Sequence, residues 1–207
     1  MKKGISILVL TALVAVGAFA QIDMSAGLGG NFSASFDSLK FDGDPAMKSK
    51  FIGGGLFAFF DATFAEVNIG MQLGGMNMAA GDDDYDDDSM NATYLTFGVL
   101  GKYPIDLGGL TVFPLIGIQM DIGVGLKYDG DDVFEDSSDR AEFMNRFWIK
   151  LGGGADINIS DQLYVRPSLL YGINFGTKLY RDMKDVHDDF SSFHHGFDLR
   201  VAVGFRF

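Results

Sequence analysis

From Ile22 to Asp37 one alternation holds without a break. Ile22, Met24, Ala26, Leu28, Gly30, Phe32, Ala34 and Phe36 occupy the even positions, and Asp23, Ser25, Gly27, Gly29, Asn31, Ser33, Ser35 and Asp37 the odd ones. A helix would scatter these apolar residues around its circumference, whereas a strand places each set on one face. The same period returns in Ala65 to Gly74, Thr93 to Val99, Leu110 to Val124, Phe147 to Ile159, Leu163 to Phe175 and His195 to Phe207. The run 51–60 is also strand-like, but it is apolar or glycine throughout and does not distinguish its faces. Eight strands are predicted.

The links between them form a second pattern. Short ones are expected at 61–63, 101–109 and 160–162, and longer ones at 38–50, 76–92, 125–146 and 177–193. Short and long ends on opposite rims describe an up-and-down meander. Such a meander closes either as a membrane barrel with its apolar face in lipid or as a soluble barrel with that face inside. One face here is long, nearly free of charge and rich in Phe, Leu, Ile and Val, as a lipid-facing band requires. The other carries Glu66, Gln72, Gln119, Asp121, Lys150, Asp156, Arg166, Asp198 and Arg200, with both signs present. This favours the membrane barrel, which must close because an open edge in hydrocarbon leaves backbone groups unsatisfied.

The first twenty residues fall outside that pattern. Lys2 and Lys3 precede an apolar run from Ile5 to Val16, and Ala18-Phe19-Ala20 closes it, which are the parts of a cleaved secretory signal. Residues 1–20 are therefore expected to be removed and 21–207 to form one barrel domain. Without cysteine, neither a disulfide nor a lipid-modified N-terminus is available. Glycine is abundant at 28 of 207 residues, but without a G-X-Y period it does not make a collagen. The formal charge of -12 argues against a nucleic-acid partner.

With its signal, eight strands and a last strand ending in Val201, Val203, Phe205 and Phe207, the chain resembles the small eight-stranded bacterial outer-membrane β-barrels of the OmpX, OmpW and OmpA membrane-domain type. The resemblance implies an all-β transmembrane barrel in the bacterial outer membrane, bounded by outer-membrane lipid. It also implies that the alternating residues up to Phe207 are the mark read by the barrel-assembly machinery. Adhesion, passage of small solutes and lipid-modifying catalysis all occur on this architecture, so fold does not choose among them.

Eight strands leave a lumen that side chains can fill. Glu66, Asp121, Lys150, Asp156, Arg166, Asp198 and Arg200 are expected to form an ion network there. Asp156 and Arg166 are expected to face each other, because a turn centred on Asp161 pairs residues whose numbers sum to 322. The long links hold 19 of the 28 acidic residues, including Asp82, Asp83, Asp84, Asp86, Asp87 and Asp88 around Tyr85. A solvated, self-repelling acidic surface is the expectation, with weak divalent-cation binding or a basic partner at these loops as the alternative, and no calcium-loop pattern is met. His187, His194 and His195 near Ser191, Ser192, Asp188 and Asp189 allow a hydrolytic triad to be drawn only without any special spacing. The expected class is a non-enzymatic surface or structural barrel without a cofactor, with a narrow solute channel as the alternative.

Overall fold

The computed structural model describes residues 23–81, 89–175 and 190–207. The signal 1–20, the six aspartates within 82–88, and His187 with Asp188 and Asp189 lie outside the described residues. The described chain forms β1 (Met24–Phe41), β2 (Asp44–Ala62), β3 (Ala65–Ala80), β4 (Met90–Lys102), β5 (Ile105–Asp106), β6 (Leu110–Tyr128) and β7 (Asp131–Asp132). Helix α1 (Ser137–Met144) follows, and then β8 (Arg146–Asn158), β9 (Leu163–Asn174) and β10 (Phe190–Arg206). β5 and β7 are two-residue strands beside β6. The other eight pair antiparallel in the ring β1-β2-β3-β4-β6-β8-β9-β10, and β10 returns to β1 from Ser25 opposite Arg206 to Phe41 opposite Phe190. The fold is thus the closed eight-stranded barrel.

The first described residues and Phe207 sit at the short-turn rim, where Phe207 N–H donates to Met24 C=O at 3.1 Å and Thr63 N–H donates to Asp23 C=O at 3.0 Å. Among the described residues no helix is long and apolar enough to cross a membrane. A crossing takes about 9–11 tilted strand residues. β1, β2 and β6 have 18, 19 and 19 residues and continue well past that span on the other rim.

This length corrects the first expected long link. Residues 38–50 are mostly strand, joined by a two-residue turn at Asp42 (φ 52°) and Gly43 (φ 84°), the left-handed pair of a type I′ hairpin. The link at 61–63 is likewise tighter than expected: Ala62 pairs with Ala65, and Asp61 belongs to the strand and faces inward.

The run 51–60 resolves into two faces. Ile52, Leu56 and Phe60 are exposed toward lipid, while Phe51 and Phe59 are buried in the lumen. Between these two rings the inward positions of β2 include Gly53 and Gly55, and a Cβ at Gly55 would lie 1.8 Å from Met71 C=O. On the outward face, a Cβ at Gly30 would meet its nearest atom at an ordinary 3.6 Å. Gly55→Val is therefore expected to destabilise the folded barrel by about 1 to 3 kcal/mol or block its assembly, whereas Gly30→Ala leaves it within about 0.5 kcal/mol. Urea unfolding of both variants in detergent, followed by circular dichroism, checks the contrast.

Candidate functional site

The lumen is built in layers from the inward residues of all eight strands. Nearest the short-turn rim, Arg166 on β9 donates from Nε and Nη2 to the two oxygens of Asp156 on β8 at 2.6 and 2.9 Å. Its Nη1 lies 2.7 Å from Glu66 Oε2 and 2.6 Å from Asp61 Oδ2. Lys102 pairs with the same Asp61 carboxylate. The guanidinium is also walled by the rings of Phe59, Tyr164 and Phe113, whose centroids lie 4.8 to 5.1 Å from Cζ. One arginine thus answers three carboxylates from three strands, in the bidentate geometry that makes such pairs strong. Below it, an open basin of about 440 Å³ reaches the rim between Asp106, Asn158 and Arg206.

The middle and upper layers form a second network. Lys150 Nζ donates to Asp198 Oδ2 at 2.9 Å and Ser33 Oγ to Asp198 Oδ1 at 2.6 Å. Arg200 Nη2 donates to Gln119 Oε1 at 2.7 Å, and Gln119 Nε2 passes the chain to Asp121 Oδ1 at 2.7 Å. Trp148 Nε1 completes Asp121 from the other side at 2.6 Å. A cavity of about 20 Å³ remains between Asp121, Asp198, Ser33 and the Tyr94 ring, which is room for one water. Higher still, Asp37 accepts from Ser49 Oγ at 2.8 Å, lies 2.8 Å from His194 Nδ1, and faces Arg146 Nη2 at 3.5 Å.

The long-loop mouth is closed by an apolar cluster. Phe51, Met76, Ala92, Tyr94, Leu126 and Met144 are buried together, with Met78, Met90, Phe134 and Phe143 packed on them. Two sequence details build this stopper. A bulge at Val124, where Thr93 pairs with Gly125 but Tyr94 with Gly123, turns Leu126 inward. Met144, at the end of α1, seats on Gly123, where a Cβ would lie 2.2 Å from its own.

All seven residues expected in the lumen, Glu66, Asp121, Lys150, Asp156, Arg166, Asp198 and Arg200, are buried there. They fall into two groups: Glu66, Asp156 and Arg166 in the lower one, and Asp121, Lys150, Asp198 and Arg200 in the upper. Their pattern omitted five further buried ionisable residues, Asp37, Asp61, Lys102, Arg146 and His194, most of which lie where links were expected. Asp37 already stood on the polar face of the first alternation, and strand parity extended by a few residues would have found the other four. Val201, Val203, Phe205 and Phe207 all face outward. His194 and His195 lie on a strand and point to opposite faces: His194 is inside the barrel, and the His195 ring lies among Phe36, Tyr171 and Phe193 on the outer face. Among the described residues no group of three or more His, Asp or Glu is placed to hold a metal ion.

The family described as outer membrane protein beta-barrel domain matches residues 6–207. Of solved structures, neisserial surface protein A is 9% identical over 88% of this chain and 99% of its own, with a TM-score of 0.50. The outer membrane protein OprG from Pseudomonas aeruginosa is 12% identical over 90% of this chain and 96% of its own, also at 0.50. At these identities the likeness is one of fold. No curated protein sequence matches the chain.

Removing Arg166 would take the paired cation from Glu66 and the bidentate partner from Asp156, leaving Asp61 to Lys102 and Asp156 to the more distant Arg206 at 3.7 Å. Arg166→Leu is expected to cost on the order of 3 to 5 kcal/mol, and adding Asp156→Asn should recover part of that loss. A double-mutant cycle on urea unfolding in detergent measures the coupling, and strictly additive losses would contradict the pairing.

Proposed function

Because the chain belongs to the outer membrane protein beta-barrel family and so resides in the bacterial outer membrane, we propose that it is a non-enzymatic, plugged barrel that acts through its extracellular loops. The observation that carries this reading is the lumen: paired charges and aromatic rings fill it, and the apolar cluster around Met144 stoppers the end opposite the termini. In such barrels the short turns are periplasmic and the longer loops extracellular. The stoppered end therefore faces outward, and the basin opens to the periplasm.

Residues 1–20 serve as the export signal in this reading, and 21–207 as the inserted domain. The outward row Val201, Val203, Phe205 and Phe207 remains accessible on the last strand for the barrel-assembly machinery. The extracellular loops carry the acidity, with Asp129, Asp131, Asp132, Glu135, Asp136, Asp139 and Glu142 in the third and Asp82 to Asp84 and Asp86 to Asp88 in the second. Their partners are cations or basic surfaces attracted by that field. Catalysis at His194 is disfavoured because Ser49 donates to Asp37 rather than to the imidazole, leaving no activated hydroxyl in the trio.

A narrow solute channel is the second reading. The periplasmic basin and the 20 Å³ cavity above it favour it, since both lie along the lumen. Planar-bilayer recording separates the two. The plugged barrel gives no stepwise conductance, and regular steps from the intact protein would replace it with the channel. Deleting Phe207 should lower the amount of heat-modifiable, folded protein in membranes without changing synthesis.

A further inference from the structure

The methionines are not spread evenly. Met24, Met71 and Met120 are exposed on the outer face of the barrel. Met76, Met78, Met90 and Met144 instead meet inside its extracellular mouth. Their approach is set by register: Met76 on β3 is directly opposite Met90 on β4, so their Cβ atoms are about 5 Å apart. Met78 lies two residues along β3, opposite the inward-facing Ser49. Met144 is brought into the same cluster by α1 and is fully buried.

Apolar filling alone does not ask for thioethers. The cluster deeper in the barrel, Leu100, Phe113, Leu115 and Leu170, is filled without sulfur, and leucine specifies a core better than methionine does. Thioether sulfur, by contrast, is a soft ligand that selects Cu(I) and similar closed-shell cations over hard ones. The flanking Phe51 and Tyr94 rings, edge to face at 5.4 Å, present further polarisable surface. Arg146 stands 5.3 Å from the Tyr94 ring and is held by Asp37. The acidic third loop raises the local concentration of cations at this mouth.

We propose that Met76, Met78, Met90 and Met144 form a thioether site for a soft monovalent cation, Cu(I) or Ag(I), at the extracellular mouth. Half-buried Met78 and Met90 give the ion its entry, and Met76 and Met144 hold it away from water.

The test is titration of Ag+ into the refolded protein carrying ¹³C-methyl methionine, in detergent and chloride-free buffer. The methyl signals of Met76, Met78, Met90 and Met144 are expected to move and saturate together at one equivalent, while those of Met24, Met71 and Met120 stay in place. Met76→Leu with Met90→Leu conserves volume and should weaken Ag+ binding by at least about tenfold, a loss already typical of changes outside the ligand sphere; Met120→Leu should change nothing. Signals that do not move, that move for all methionines alike, or a double variant binding as tightly as the parent would overturn the site. Should the double variant fail to fold, the methyl signals of the unaltered protein decide alone.

Discussion

In hydrocarbon the backbone N–H and C=O groups of a strand have no partner but another strand, and the other features of this barrel follow from meeting that demand around a closed circle. The ring is completed where the first strand meets the last, by the ladder of β1 and β10 from Ser25 and Arg206 to Phe41 and Phe190. Closure fixes the register, and register fixes the faces. Leu28, Leu56, Val67, Ile116, Leu151 and Val201 are each more than half exposed because their solvent is lipid. The polar set has nowhere to go but inward.

That inversion explains the chemistry of the lumen. A charge taken into so narrow a space is tolerable only when paired and hydrogen-bonded. Arg166 meets Asp156, Asp61 and Glu66, and Lys150 meets Asp198. Aromatic rings supply the remaining walls, and inward glycines make room for them: a Cβ at Gly154 would lie 2.7 Å from the Phe113 ring, and one at Gly27 only 2.5 Å from Phe59. The lumen is thus a core turned polar at its centre and apolar at its outer mouth. Such a core ties the inward faces of the strands to one another across the barrel.

Much of this was legible in the alternation of residues. A period of two assigns faces over every strand with one polar side, and the pairing sum of 322 for β8 and β9 runs from Trp148 opposite Asn174 to Asn158 opposite Tyr164. Where it was not legible, the physical reasons differ. The 51–60 run is apolar on both faces because its inward side packs aromatics against Arg166 and Arg200 rather than carrying charge. The strands of the first hairpin were hidden because they extend beyond the membrane, where Lys40, Lys48 and Ser49 look like loop residues; the Asp42-Gly43 pair was the available signal. Leu126 escapes any parity argument because a bulge resets the phase at Val124. The stopper as a whole depends on α1, a short helix that no period of two reveals.

The central claim is that the barrel has its polar face inside, and the single tryptophan reports on it directly. Trp148 points into the lumen, with Nε1 on Asp121 and Lys150 Nζ 4.4 Å from its ring centroid, while Ile149 beside it faces lipid. The measurement is quenching of tryptophan fluorescence by lipids brominated along the acyl chain, comparing the native protein with a Trp148→Phe, Ile149→Trp variant. The native protein should be quenched weakly by brominated lipid and by aqueous iodide, and the variant strongly by the lipid alone. Equal or stronger lipid quenching of native Trp148 would mean that the faces are reversed.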